Sequence, residues 1–271
     1  MNPVLWTAAI SILLGISVFG EDNSWSRLED WPQLPKDWKL SKVSGVASDF
    51  RGRIYVGHRD THPILYFAVS GKFLGTLGEK EIPPSVYYDL RTAMERRPWV
   101  HGLHVDPRDN LWVTDVGRHV VMKFNPEGKL LLTLGTQGER DETPSTFSQP
   151  THAVVGRSGN VYVADGYGNS RVVKFSAQGE YLLTLGKKGS QKGELHTPHA
   201  LALDSDENVY VADRSNDRIQ AFDSEGKFWQ VWTGLHSVDS LFITKEGRLF
   251  AGAGLDNLIL EMDLKGRRKA P

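Results

Sequence analysis

The chain of 271 residues contains no cysteine. This excludes disulfide frameworks, zinc sites built from thiolates and cysteine nucleophiles. An excess of charge of either sign is also lacking, because 32 Lys and Arg residues stand against 33 Asp and Glu residues and the formal net charge is −1. That balance excludes a strongly basic protein that binds nucleic acid. The sequence also has no phosphate-binding loop, paired-carboxylate motif or nucleophile elbow.

Long apolar runs are rare, and the exception is the amino terminus. The first 20 residues contain no Asp, Glu, Lys or Arg, and an apolar stretch extends from Val4 to Phe19. This pattern predicts a signal peptide over residues 1–20, with an uncleaved membrane anchor as the alternative. For an exported chain without cysteine we expect a bacterial periplasmic or extracellular location, with no stable membrane span after cleavage. The sequence leaves the oligomeric state open.

The rest of the chain contains five similar repeats, and each includes a segment that alternates like a half-buried β-strand. These segments are Arg53–Gly57, Asn110–Thr114, Asn160–Ala164, Asn208–Ala212 and Arg248–Gly252. A glycine turn follows each of them, and successive turns are 57, 51, 47 and 40 residues apart. Repeats of this length predict an all-β fold, a β-propeller with one four-stranded sheet per blade. An extended β-solenoid is the alternative, although its repeats are usually shorter.

The repeats divide the chain into residues 1–20, an N-terminal segment 21–43 and a propeller 44–271. Gly266, the last turn glycine, is followed by only five residues, so we expect the fifth blade to lack its outer strand and this sequence to contain no complete sixth blade. We therefore expect five blades around an axis with an open side. The only helix that the pattern predicts lies in an insert, from Ser85 to Arg97.

One position in the first strand of each repeat is polar. Because the innermost strands of a propeller surround its central channel, these side chains are predicted to converge on one axis. The residues are Ser44, His101, His152, His199 and Asp239. Neutral imidazoles from several blades can bind zinc or a similar metal. A polar channel filled with ordered water is the alternative.

Two resemblances to known families follow from longer motifs. Trp112–Asp115, Tyr162–Asp165 and Tyr210–Asp213 resemble the core of NHL repeats. Four pairs of motifs carry a closer resemblance: Val43–Ala47 with His58-Arg59, Val100–Leu103 with Trp112–Val116, Gln149–Thr151 with Asp165–Arg171, and Pro198–Ala202 with Ala212–Arg214. They resemble the six-bladed peptidyl-α-hydroxyglycine amidating lyases. The run from Asp165 to Arg171 is the most specific of these motifs.

The second resemblance implies release of glyoxylate from a peptide or small hydroxy-amide substrate, leaving an amide. It implies catalytic roles for Arg59, Tyr167 and Arg214. It also implies zinc bound by His101, His199 and a third histidine of the last blade. A structural calcium would be bound partly by the main-chain carbonyls of Val46 and Leu103. A tyrosine can take the substrate's hydroxyl proton only if nearby positive charge lowers its pKa, and Arg59 or zinc can supply that charge.

The chain departs from this family in its last blade. The third histidine and a calcium-binding aspartate belong to the sixth blade, so His152 is predicted as a substitute ligand. Because the resemblance assigns only two imidazole ligands in this chain, we expect weak zinc binding and slow or no turnover. A version of the chain extended by a sixth blade should be active.

Two other functions remain open. One is a non-catalytic NHL propeller that binds a peptide or protein, and the other is a calcium-dependent propeller enzyme such as a lactonase. Asp115, Asp165 and Asp213 recur at one repeat position, where a structural role is the expected one.

Overall fold

The computed structural model describes residues 28–87 and 95–268. The predicted signal peptide and residues 21–27 of the N-terminal segment lie outside this part of the chain. The described residues form five antiparallel sheets of three or four strands and one two-stranded sheet, and neighbours along the sequence are neighbours in each sheet. The prediction of an all-β propeller with five blades is confirmed.

Each of the first four blades has four strands, and the fifth has three. Blade one contains β1 (Val43–Ser48), β2 (Arg53–His58), β3 (Ile64–Ala68) and β4 (Phe73–Leu77). Blade two contains β7 (Val100–Val105), β8 (Leu111–Asp115), β9 (Val120–Phe124) and β10 (Leu130–Leu134). Blade three contains β11 (His152–Val155), β12 (Val161–Asp165), β13 (Arg171–Phe175) and β14 (Tyr181–Leu185). Blade four contains β15 (Pro198–Leu203), β16 (Val209–Asp213), β17 (Arg218–Phe222) and β18 (Phe228–Thr233), with a 3-10 helix at Arg214–Asn216. Blade five contains β19 (Val238–Ile243), β20 (Arg248–Ala253) and β21 (Leu258–Asp263).

The core lies between blades because both faces of the inner sheets are apolar. In β12, Val161 and Val163 pack towards blade two, whereas Tyr162 and Ala164 pack towards blade four. Successive side chains of a strand point to opposite faces, so an uninterrupted apolar strand joins two neighbouring sheets. The same arrangement recurs between every pair of consecutive blades.

The N-terminal segment covers the face of blade one that points away from blade two. Trp31, Leu34, Trp38 and Leu40 pack on an apolar layer of β2 and β3. The Trp38 ring stacks on His62 with centroids 4.0 Å apart. The main-chain nitrogen of Gln33 donates a hydrogen bond of 2.9 Å to the carbonyl of Gly71. The segment therefore takes the place of a neighbouring sheet.

Blade five has no comparable cover in the described chain. Phe242, Leu255 and Leu258 are 44%, 75% and 52% exposed. The inner strands of consecutive blades pack side by side from β1 to β19, but β19 and β1 are not packed in this way. The first and fifth blades meet at their turns, where the ammonium of Lys245 lies 5.9 Å from the ring centre of Phe50. Arg268 forms an isolated antiparallel β-bridge with Met262 of β21.

The insert between blades one and two differs from its prediction. Its ends form a two-stranded antiparallel sheet, β5 (Ser85–Tyr87) with β6 (Glu95–Arg97), and residues 88–94 lie outside the described chain. The predicted helix from Ser85 to Arg97 is therefore wrong at both ends, where strand pairing outweighs a weak helical pattern. Among residues 28–87 and 95–268, no helix has the length and apolar character needed to cross a membrane.

Candidate functional site

Irregular pairing in the inner strands sets the direction of the polar side chains. The register between first and second strands shifts at Val43/Gly45, Val100/Leu103, Pro198/Leu201 and Val238/Ser240. Each shift lies next to one polar residue: Ser44, His101, His199 or Asp239. Bulges of this kind locally redirect a side chain and are common beside active sites.

The pairing corrects the register predicted for His152. Ala153, Leu103 and Leu201 pair with equivalent residues of the second strands. Thr151, His101 and His199 lie two residues before them, so Thr151 is the residue of blade three that is equivalent to the two histidines. His152 lies one position further along. A shift of one residue turns a side chain to the other face of a strand, so His152 does not share the position of the other two histidines.

The residues at this position connect each blade to the next. The hydroxyl of Ser44 donates to the carbonyl of Val100 at 2.7 Å, and the hydroxyl of Thr151 donates to that of Pro198 at 2.9 Å. The Nδ1 atoms of His101 and His199 bind the carbonyls of Thr151 and Asp239, each at 2.7 Å. Because a carbonyl oxygen only accepts, both Nδ1 atoms carry a hydrogen. In the neutral rings the Nε2 atoms are therefore acceptors.

Both Nε2 atoms point at the same phenol. The Oη of Tyr167 lies 2.9 Å from Nε2 of His101 and 3.0 Å from Nε2 of His199, and the two imidazole centroids are 4.8 Å apart. Tyr167 follows β12 and packs on Trp99 and Val116. The phenol has a single hydrogen, so it can donate to only one Nε2 at a time. The other Nε2 then directs a lone pair at Oη without a hydrogen between them.

Burial and nearby cations keep this cluster neutral. Burial, with the charge of Arg214 next in importance, lowers the pKa of His199 to about 3. Burial also lowers the pKa of His101 well below its usual value, helped by the neighbouring His199 and Arg59. Burial raises the pKa of Tyr167, although Arg214 and Arg59 oppose this shift. At neutral pH the protein's own groups therefore give two acceptor imidazoles and a phenol that keeps its proton.

Two guanidinium groups flank the phenol. The guanidinium carbon of Arg214 lies 6.0 Å from the Tyr167 ring centre, and its Nε is 3.3 Å from Oδ1 of Asp239. Arg59 follows β2, and its guanidinium lies over the ring of Trp99 at 5.1 Å. The structure thus brings together four sequence-predicted site residues in addition to Arg59: Tyr167, Arg214, His101 and His199.

Two imidazole nitrogens are directed at one point, which is one ligand fewer than the three protein ligands of catalytic zinc sites. The Nε2 lone pairs of His101 and His199 converge, their Nδ1 hydrogens are bound to carbonyls, and the phenol satisfies only one of them. Orientation of ligand histidines by a carbonyl at the second nitrogen is typical of zinc sites. Within the described residues no group of three or more His, Cys, Asp or Glu side chains is placed to hold a metal.

The carbonyls predicted for calcium do not form a comparable set. The Leu103 carbonyl is 3.3 Å from Nε2 of His152, whose Nδ1 accepts the main-chain N–H of Leu201 at 3.1 Å. His152 therefore carries its hydrogen on Nε2 and donates it to Leu103. Val46 lies on β1 in regular pairing with Val56. Calcium takes six to eight oxygen ligands and these two carbonyls supply at most two of them, so the calcium role of Val46 and Leu103 and the metal role of His152 stay predictions.

The repeated aspartates support the loops around the site. Asp165 and Asp213 are fully buried and receive hydrogen bonds from Arg171 at 3.0 Å and Arg218 at 2.6 Å. These arginines also donate to carbonyls of the loops that enter blades three and four. The contacts agree with the structural role expected of the aspartates.

Sequence reasoning missed two members of the site. Thr151 was hidden because its neighbour His152 is also polar, and no residue pattern marks the bulges that shift the register in the other blades. Asp239 was placed on the axis but not assigned a role, although its position is equivalent to that of His101 and His199. Its partner Arg214 lies 25 residues earlier in the sequence.

Comparisons with known proteins agree with the sequence motifs. The NHL repeat family matches residues 147–175 and 195–222. A probable peptidyl-α-hydroxyglycine α-amidating lyase of Caenorhabditis elegans is 33% identical over 198 residues, 68% of this chain and 56% of that protein. An α-amidating lyase of Drosophila melanogaster is 32% identical over 246 residues, 82% of this chain and 44% of the relative. Human NHL repeat-containing protein 3 is 30% identical over 240 residues, 83% of this chain and 65% of the relative. The chain thus spans about half to two thirds of the length of these relatives.

Solved structures give the same architecture at lower sequence identity. A streptogramin B lyase structure aligns with a TM-score of 0.62 and 16% identity, covering 86% of this chain and 69% of the other. A nidogen/laminin complex aligns with a TM-score of 0.63 and 17% identity, covering 84% and 78%. These similarities concern the fold alone.

Proposed function

The chain is an NHL-repeat β-propeller homologous to the peptidyl-α-hydroxyglycine α-amidating lyases, and from this premise we propose that it releases glyoxylate from α-hydroxyglycine amides. The observation that carries the proposal is the position of Tyr167 between two acceptor imidazoles, 2.9 Å and 3.0 Å away. A substrate hydroxyl group bound next to Oη of Tyr167 can pass its proton through the phenol to Nε2 of His101 or His199. Arg59 and Arg214 provide positive charge beside it.

The reaction needs one proton to move within the substrate. The α-hydroxyl gives its proton to Oη of Tyr167 while the phenol passes its own to Nε2 of a neighbouring histidine. The oxygen forms the carbonyl of glyoxylate, and the bond between the α-carbon and the amide nitrogen breaks with its electrons on nitrogen. The nitrogen takes up a proton returned along the same path. The products are an amide and glyoxylate, and atoms and charge balance.

The arginines and histidines have separate tasks in this scheme. Arg214 and Arg59 bind the carboxylate that departs in glyoxylate, since guanidinium groups bind carboxylates through charge-assisted hydrogen bonds. The carbonyls of Thr151 and Asp239 keep Nε2 of both histidines free to accept. Zinc held by the two Nε2 atoms would occupy the lone pairs that otherwise accept the proton, and would act instead as a Lewis acid that favours loss of the hydroxyl proton.

The test is glyoxylate release from an N-acyl-α-hydroxyglycine, with and without added zinc. Tyr167→Phe keeps the ring that packs on Trp99 and Val116 but removes the proton path, so kcat should fall at least about 100-fold. Tyr181→Phe in the exposed outer strand of the same blade is the matched control and should keep full activity. Undiminished release by Tyr167→Phe would refute the mechanism, and no release by the wild type would refute the proposed activity.

A second candidate is a non-catalytic propeller that binds a peptide or protein. The chain covers 65% of human NHL repeat-containing protein 3, compared with 56% and 44% of the two lyases. That relative is named for its repeats and not for a reaction, which favours this candidate. Peptide binding at the channel mouth, lost in Arg214→Gln but without glyoxylate release, would support this alternative. Export and signal cleavage are part of the proposal, and N-terminal sequencing of the mature protein tests them.

A further inference from the structure

Blade five contributes one charged residue to the central axis. Asp239 lies at the bulge of β19, at the position that carries His101 in blade two and His199 in blade four. An ionised carboxylate has no hydrogen to donate to a carbonyl. It therefore cannot continue the series of bonds that Ser44, His101, Thr151 and His199 make to the next blade, and it turns to a cation instead.

Asp239 holds both groups that approach Tyr167 from blade four. Its carbonyl accepts Nδ1–H of His199 at 2.7 Å, and its carboxylate oxygen Oδ1 lies 3.3 Å from Nε of Arg214. His199 and Arg214 both contact Tyr167. We propose that Asp239 is a positioning residue that fixes His199 through its main chain and Arg214 through its side chain. The inference rests on the proposed function and extends it to blade five.

The carboxylate acts on the orientation of Arg214. Contact through Nε fixes the direction of the guanidinium plane and leaves the two terminal nitrogens for Tyr167 and for a substrate carboxylate. Without this contact the long side chain can adopt several rotamers, and substrate binding must then order it. The substrate class assigned to this arrangement is a small molecule or peptide end with a carboxylate beside the reacting hydroxyl.

The position of the carboxylate depends on a glycine. A Cβ atom at Gly254 would lie 1.9 Å from Oδ2 of Asp239. The backbone of Gly254 does not require a left-handed conformation, so alanine is tolerated there once the carboxylate moves. Gly254→Ala therefore displaces the charge of Asp239 without removing it. Asp239→Asn makes the opposite change, because it keeps the main-chain carbonyl and the shape but removes the charge.

The ion pair between Arg214 and Asp239 contributes little to the free energy of folding. The side chains of Arg214 and Asp239 are 20% and 38% exposed, and ion pairs with such exposure stabilise a fold only weakly. Both variants should therefore fold with unfolding midpoints close to that of the wild type. A change in substrate affinity then reports on positioning.

The experiment measures steady-state glyoxylate release by the full chain. We expect Asp239→Asn and Gly254→Ala each to raise KM about tenfold with kcat within about twofold, since Arg214 binds the carboxylate while the His199 contact is kept. Asp256→Asn, which removes an exposed ion pair with His236 on the same blade, is the matched control and should not change KM. In the Arg214→Gln background Asp239→Asn should add less than about twofold. Wild-type KM in Asp239→Asn, or a full additional effect in the Arg214→Gln background, would overturn the proposal.

A second readout separates this inference from the proposed activity. In ¹⁵N-labelled protein without substrate, the Nε–H of Arg214 should exchange with water more slowly in the wild type than in Asp239→Asn and Gly254→Ala. Arg214→Lys assigns the signal. Equal exchange rates in all forms would overturn the positioning role even if glyoxylate is released. Slower exchange in a wild type that releases no glyoxylate would support positioning and refute only the proposed activity.

Discussion

Replacement of Asp115 by asparagine should make the protein more stable at neutral pH. The carboxylate is completely buried, and its Oδ1 accepts the main-chain N–H groups of Gly117 and Arg118. Its Oδ2 lies 3.6 Å from Nε of Arg118, and neither of these two buried atoms has a hydrogen bond among the described residues. The guanidinium of Arg118 binds the carbonyl of Glu81 and the side chain of Gln137 instead. The charge of Asp115 is therefore poorly compensated.

The size and the pH range of the effect follow from one pKa. Burial raises the pKa of Asp115 from 3.8 to about 6, against the smaller opposing effect of Arg118. A shift of about 2 pH units corresponds to about 3 kcal/mol. Because the folded-state pKa lies above the unfolded value, the native protein holds the proton more tightly. The contribution to stability is complete below about pH 4 and is lost as the pH rises through about 6.

The assay is urea unfolding of the wild type and Asp115→Asn between pH 4 and pH 7.5. Asparagine mimics the protonated carboxyl, so the two free energies of unfolding should agree near pH 4 and differ by about 3 kcal/mol above pH 7, with the variant more stable. Asp106→Asn is the matched control. Although burial opposes it, hydrogen bonds from Trp112 and Asn110 lower the pKa of this buried carboxyl, so Asp106→Asn should be less stable than the wild type at pH 7. A difference between wild type and Asp115→Asn that does not change with pH would refute the reasoning.

Three further predictions concern other contacts. His152→Ala removes the partner of the Leu103 carbonyl and of the Leu201 N–H, and should lower the free energy of unfolding by about 2 to 5 kcal/mol in urea titrations; a loss below about 1 kcal/mol would contradict its linking role. Trp38→Ala should cost about 2 kcal/mol and make the N-terminal segment sensitive to limited proteolysis, whereas Trp229→Ala on the exposed rim should change neither. Zinc should bind to the wild type in titration calorimetry and should not bind measurably to His199→Ala; equal affinities would exclude the two-imidazole site.

The repeats could be predicted from sequence because they obey a simple physical rule. One short apolar strand recurs in every repeat. The sequence predicts these strands to be half-buried, but in Val161–Asp165 both faces are buried because each blade is covered on two sides. The insert from Ser85 to Arg97 has no such constraint, so its local pattern did not distinguish a helix from a hairpin. The cover of blade one by Trp31–Leu40 was also not predicted, since the pattern shows that these residues are apolar but not which face they meet.

The sequence predicts the side chains that the structure brings together around Tyr167 but not the hydrogen bonds between them, and their roles stay predictions. His101 and His199 were found because both follow an apolar strand start at the same repeat position. Their protonation depends on carbonyls contributed by the next blade, at Thr151 and Asp239, and a bond between distant blades leaves no local signal. His152 was misplaced because it is polar and directly follows Thr151, the residue that lies two positions before Ala153 as His101 lies two positions before Leu103.

Every apolar interface of the described chain joins segments that are consecutive in the sequence: the N-terminal segment with blade one, and then each blade with the next. Such a chain resembles a linear repeat array, whose stability is a sum over units and nearest-neighbour contacts. Each sheet can dock on the one synthesised before it, without waiting for the two ends of the molecule to meet, and contacts that are local in sequence favour fast folding. The same arrangement makes blade five the blade that detaches at the lowest cost in free energy, because it loses one apolar interface whereas every other blade loses two. The proposed catalytic groups of blades one to four would then remain on a folded support while the carbonyl and carboxylate of Asp239 move away.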